Sequence, residues 1–158
     1  MKKGIALILI LVLLCLLCAC DGGENTKKTY AVTLNDVKIE IDAEANSILH
    51  AVGSWLTYDE SPSCAFDGLD RIYNYGAFEI QTYPIEGQEF IANVYLNDDT
   101  VATEEGIAVG AEREAVIQAY GEADSQSDTY LRYEGEGMSL TFLLKDGRVT
   151  NIQYVKNT

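Results

Sequence analysis

Apolar positions along the chain keep two different periods. From Tyr30 the alternation Tyr30, Val32, Leu34 and then Val37, Ile39, Ile41 predicts two strands around Asn35-Asp36, because side chains on one strand face recur every second residue. The period then lengthens. Ala45, Ile48, Leu49 and Val52 stand at the i, i+3, i+4, i+7 spacing of a helix that buries one stripe. Asp42 is placed to cap its start and Gly53 to end it. After a loop come three runs of strand character, residues 71–75, 78–83 and 90–96. A second helix over 111–120 and a further loop precede runs at 130–133, 138–144 and 149–155. Tyr75-Gly76, Glu86-Gly87, Gly135-Glu136-Gly137 and Asp146-Gly147 have the chemistry of the turns between them.

The first half recurs in the second. Residues 37–53 align with 105–121, so that Ile39, Ala43, Glu44, Ala51 and Gly53 return as Ile107, Ala111, Glu112, Ala119 and Gly121. The apolar stripe is kept, Ile48-Leu49 being answered by Val116-Ile117, and Asn93-Val94 falls opposite Asn151-Ile152. These patterns predict an α+β fold of tandem strand–helix–three-strand units. They would form one mainly antiparallel sheet with two helices packed on one face. One unit alone is too small to cover its own core. Residues 30–158 therefore read as a single domain of two repeats, about 30–97 and 98–158.

The first 19 residues belong to neither repeat. Lys2 and Lys3 precede an unbroken apolar run from Ile5 to Leu17, shorter than the about 20 residues a spanning helix needs and suited to the core of a secretion signal. Leu17-Cys18-Ala19-Cys20, followed by polar residues, resembles the bacterial lipobox. The resemblance implies cleavage after Ala19, lipidation of Cys20, and a mature protein held by that lipid on the outer side of a cell membrane. Residues 20–29 then form a polar tether. Loss of the two signal lysines takes the net charge from −14 to −16. A surface this acidic repels nucleic acid and anionic headgroups, which excludes both as direct partners of the domain. With Cys20 lipidated, Cys64 has no intramolecular partner, so the fold must hold itself by core burial.

Gly106-Ile107-Ala108-Val109-Gly110, Val116, Tyr120-Gly121-Glu122-Ala123 and the pair Tyr130 and Tyr133 together are similar to the domain of the SmpA/OmlA-type small lipoproteins. Tandem copies of that unit resemble the β-lactamase inhibitory protein fold. The chain as a whole looks like the lipoproteins of Gram-positive anaerobes that carry this duplicated unit. The resemblance covers about residue 37 to the C-terminus and implies a sheet that grips a partner protein.

Catalytic signals are sparse. His50 is the only histidine and lies off the apolar stripe of its helix, with Gln118 as its counterpart, so no acid–base site is assigned to it. No serine-hydrolase elbow, phosphate-cradling glycine motif, calcium loop or zinc ligand set stands in the sequence, and no cofactor or metal is expected. Cys64 reads chiefly as a small buried side chain, with pairing to another chain and a nucleophilic role as alternatives. Tyrosine carries the remaining signal. If Phe78, Ile80, Phe90, Ala92, Val94 and Leu96 face the core, then Glu79, Gln81, Tyr83, Ile91, Asn93 and Tyr95 turn outward. Tyr83, Tyr95, Glu79, Gln81 and Asn93 form the candidate binding face, since tyrosine among amides suits protein recognition; tyrosine is equally a favoured strand residue. Three functions stay open: a non-catalytic binding module for a protein or envelope component, a structural or assembly accessory of an envelope complex, and a thiol-dependent enzyme using Cys64. Lipidation is directly testable. Wild type is expected to partition into detergent, and Cys20→Ala to be soluble or an uncleaved precursor; unmodified mature protein beginning at Asp21 would refute the anchor.

Overall fold

The computed structural model describes residues 27–157; the signal segment, Cys20 and the first part of the tether lie outside the described residues. β1 (Ala31–Leu34) and β2 (Val37–Glu40) form the expected hairpin. Asn35 and Asp36 both take positive φ, 50° and 64°, as a two-residue turn between twisted strands requires and as short polar side chains tolerate. α1 (Ala45–Val52) follows, then β3 (Thr57–Pro62), β4 (Leu69–Asn74), β5 (Phe78–Ile85) and β6 (Gln88–Leu96). α2 (Arg113–Tyr120) opens the second half, followed by β7 (Ser125–Ser127), β8 (Tyr130–Glu134), β9 (Met138–Lys145) and β10 (Arg148–Lys156). Among the described residues the fold is mainly antiparallel sheet with two helices.

β3 to β10 lie in one sheet in the order β3-β4-β5-β6-β10-β9-β8-β7. Each four-strand meander runs inward from an edge, and the two join last strand to last strand. The β1–β2 hairpin is a separate sheet, a correction to the single sheet expected. Its Val32, Leu34 and Ile39 share one apolar core with Ala45, Leu49, Val52 and Val116 and with Ile80, Val94, Leu140, Phe142 and Ile152 of the main sheet. Hairpin and helices thus cover one face of the sheet, here the inner face. Burying these aliphatic and aromatic side chains contributes about 1.5–3 kcal/mol each. Where the chain enters the domain, Lys28 Nζ lies 2.8 Å from Glu105 and over the rings of Tyr30 and Tyr120. Tyr133, beside them, has its phenol pushed up to about 12, chiefly by burial.

β6 and β10 pair along only part of their length, Asn93 to Leu96 against Val155 to Ile152. Beyond that stretch each strand takes the segment leading into a helix. Asp42 N–H donates to Ile91 O and Ile91 N–H to Ala43 O, both at 2.9 Å; Gly110 N–H donates to Val149 O at 2.7 Å and Val149 N–H to Ala111 O at 2.9 Å. α1 is capped by Glu44, whose carboxylate accepts the Asn46 N–H, and not by Asp42 as expected. Asp42 is already committed at φ 68° on the approach to β6.

Each long strand also carries a β-bulge. Gln81 pairs with Asn93 but Thr82 with Ile91, leaving Ala92 over; Leu143 pairs with Asn151 but Leu144 with Val149, leaving Thr150 over. An extra residue reverses the inward–outward parity beyond it. Ile91, expected to face outward, is therefore in the core at 0% exposure. Phe90, expected inward, stands on the outer face beside its cross-strand partner Tyr83. The loop expected after each helix contains an edge strand, β3 or β7, whose residues are all exposed; strands with no face to bury need no apolar alternation. Ile91→Ala is expected to cost about 2–5 kcal/mol of stability in urea unfolding, whereas a loss within about 0.5 kcal/mol would mean that Ile91 lies at the surface.

Candidate functional site

The outer face of the sheet brings together four of the five candidate residues in two neighbouring rows. Glu79 stands opposite Tyr95 and Gln81 opposite Asn93, and the rows continue into β10 through Gln153 and Val155. The side chains are half-buried, and Glu79, Gln81 and Asn93 are tied to one another. Asn93 Nδ2 donates to Gln81 Oε1 at 2.9 Å, and Gln81 Nε2 donates to Glu79 Oε1 at 2.7 Å. Glu79 thus terminates a chain of amides and retains acceptor capacity. Burial, and secondarily the charge of Glu79, raises the pKa of the Tyr95 phenol, so it presents a neutral O–H donor.

Tyr83, the fifth, shares this face but is not accessible as expected. It is 7% exposed. Its ring packs against Phe66 and Phe90, centroids 5.0 and 5.9 Å away, and its Oη donates to Asp42 Oδ1 at 2.8 Å. Lys156 closes the arrangement, with Nζ 5.2 Å from the ring centroid and 2.6 and 2.7 Å from the two Asp42 oxygens. Burial works against the Lys156 charge, but the hydrogen bonds and field of Asp42 outweigh it and raise the pKa. The Tyr83 pKa is raised by burial first and by Asp42 second.

Tyr83 is the inner wall of a cavity of about 720 Å³ that sequence reasoning missed. Ile72, Gln81, Ala92 and Asn93 supply the sheet side; Ser63, Ala65 and Phe66 come from the connection between β3 and β4. That connection is held in place by local chemistry. Ser63 N–H donates to Gly68 O at 3.0 Å, and Ser63 Oγ accepts longer bonds from the N–H groups of Ala65 and Phe66. Gly68 has φ +134° and lies so close to Pro84 that an added Cβ would come within 2.9 Å of its ring. Glycine is needed there for both reasons. Asp59, Ser61 and Asp70 are also among the lining residues. The only sequence signal was turn chemistry, Ser61-Pro62-Ser63 and Asp67-Gly68.

The cations near the cavity are engaged. Arg71 meets Glu89 at 2.6 Å and Glu60 at 3.5 Å, and Glu89 also accepts from Tyr73 Oη and Thr82 Oγ1. This network on the inner side of the sheet clamps β4, β5 and β6 together. Asp70, by contrast, has one enclosed oxygen, Oδ1, without a hydrogen-bond partner.

Cys64 lies in the same connection and is free and exposed, which corrects the expectation of a buried thiol. Phe66, packed on Tyr83, anchors the connection, so nothing draws Cys64 down. His50 lines a separate depression with Leu49, Gly53, Ser54 and Trp55, and no residue is shared between it and the cavity. Among the described residues no group of three or more His, Cys, Asp or Glu is placed to hold a metal ion.

Comparison with protein-family models, with curated proteins and with solved structures gives no match to this chain. A maleimide is expected to label Cys64 in the folded protein nearly as fast as in urea, followed by mass spectrometry of its peptide; strong protection in the native state would contradict the exposure.

Proposed function

We propose that the protein is a lipid-anchored, extracytoplasmic binding module that holds a protein or envelope component on the outer face of its sheet, without catalysis. The observation that carries this reading is the asymmetry of the eight-stranded sheet. The hairpin and both helices pack on the inner face, while the outer rows of tyrosine, amides and carboxylate are half-buried and open beside a formed cavity. Aromatic and amide side chains on a rigid sheet bind with little loss of side-chain freedom, and a pocket of this size falls within the about 300–1,000 Å³ of ligand sites. The anchor rests on the lipobox resemblance of Leu17 to Cys20.

We further infer that the two halves are tandem copies of one unit, as the SmpA/OmlA and β-lactamase inhibitory protein resemblance implies. Support comes from matched details. The bulges at Ala92 and Thr150, the helix-entry bonds to Ile91 and Val149, the helix-end bonds of Gly53 and Gly121, and the turn bonds of Tyr75 to Phe78 and Gly135 to Met138 recur in each half. The unit differs from the expected one in having four strands after its helix.

The binding reading predicts the behaviour of Tyr95. Truncation of an interface aromatic typically costs about 2 kcal/mol or more, so Tyr95→Ala should weaken crosslinked capture of the envelope partner about thirtyfold. Urea stability should fall by about 1 kcal/mol or less, the scale of cross-strand contacts. A large loss of stability with capture unchanged would remove Tyr95 from the binding surface and leave it a packing residue.

A further inference from the structure

Building on the binding role proposed above, we infer that the cavity beneath the β3–β4 connection receives a basic side chain of the protein partner, an arginine or a lysine. Its aliphatic stem lies along Phe66, Ile72 and Ala92, and its charged head meets Asp59 and Asp70.

The charge balance of the cavity selects the sign of the ligand. Five ionisable residues other than tyrosine line it: Asp59, Glu60, Asp70, Arg71 and Lys156. Lys156 is saturated by both oxygens of Asp42. Arg71 is taken by Glu89 and Glu60, and Glu60 also accepts from Tyr58 Oη. Asp59 and Asp70 remain, and neither forms an ion pair among the described residues. Asp70 is part-buried with Oδ1 enclosed, so its Oδ2, together with the exposed Asp59 carboxylate, is what a ligand in the cavity can reach; neither accepts a hydrogen bond among the described residues. A guanidinium or ammonium supplies donors to both with charge-assisted strength. An anionic ligand would instead meet two uncompensated carboxylates and no free cation.

The walls select the shape. Phe66, Ala65, Ile72 and Ala92 offer apolar surface beside the carboxylates, which matches a side chain with an apolar stem and a charged tip. The Phe66 ring also offers a face for cation–π contact with an arginine. At about 720 Å³ the cavity has room for such a side chain together with an apolar neighbour. The chain's net charge of −14 draws basic partners toward it over longer range.

The test uses the full-length chain in a non-ionic detergent and the peptide acetyl-Ala-Leu-Arg-Leu-Ala-amide as probe, followed by calorimetry. Wild type should bind the arginine peptide, more weakly as salt rises. Asp70→Asn, which keeps the shape, should weaken it about tenfold or more, and Asp59→Asn, on an exposed edge strand, should weaken it in the same direction. Peptides with glutamate or norleucine in place of arginine should not bind measurably. Absence of binding by the arginine peptide, equal binding of the norleucine or glutamate peptide, or unchanged affinity in both variants would overturn the assignment. If the peptide fails while capture of the envelope partner remains sensitive to Tyr95→Ala, only the cavity assignment falls. If both fail, the outer face is not the binding surface.

Discussion

The organisation of the domain depends on β6 and β10 being nine-residue strands that pair with each other over only four residues. Buried backbone groups must find partners, so the unpaired remainder of each strand has to be met by something else. In both halves it is met by the residues just before a helix, Asp42 to Glu44 on β6 and Gly110 to Glu112 on β10. That requirement fixes where each helix begins and delivers both helices to the same side of the sheet. The bulges at Ala92 and Thr150 fall where the neighbour changes and turn Ile91 and Val149 into the core. The outer face is open because the chain has used its helices and its hairpin on the other side.

Much of this was legible in the sequence wherever one principle acted alone. The turn at Asn35-Asp36, the apolar stripes of both helices and the alternation in β5 and β9 each follow from local period or turn chemistry, and each was located within a residue or two. The failures have physical causes. β3 and β7 are edge strands with no buried face, so they leave no periodic trace. The bulge at Ala92 is invisible to an alternation count, which therefore misassigned Phe90 and Ile91. Asp42 has the right chemistry and spacing for a cap, but its carboxylate is claimed by Lys156 and Tyr83, distant in sequence. The outer rows of Glu79, Gln81, Asn93 and Tyr95 were legible because all four lie on one side of the bulge, in register with Ile80, Val94 and Leu96. The cavity was not, since it needs a loop folded back over the sheet.

Most of the few basic side chains of this acidic domain have structural duties. Lys28, Lys38, Arg71, Arg132, Arg148 and Lys156 each hold a carboxylate, and Arg113 is bonded to Gln126 and to the backbone of Ser127. Exposed pairs of this kind contribute only about 0–1 kcal/mol each, but collectively they leave the surplus carboxylates to set the field around the domain. Most cations are thus consumed internally, and the surplus negative charge is carried by carboxylates without an ion pair among the described residues.

The strand order also distributes the work of folding unevenly. Among the described residues, every strand pairing joins strands adjacent in the chain except β6 with β10. Hairpins close short loops at small entropic cost, whereas the remaining seam must bring together residues separated by α2 and three strands. The chain can therefore assemble each meander from local contacts, and the entropy of global ordering falls on the four residue pairs of that central seam and on the two helix-entry segments that extend it.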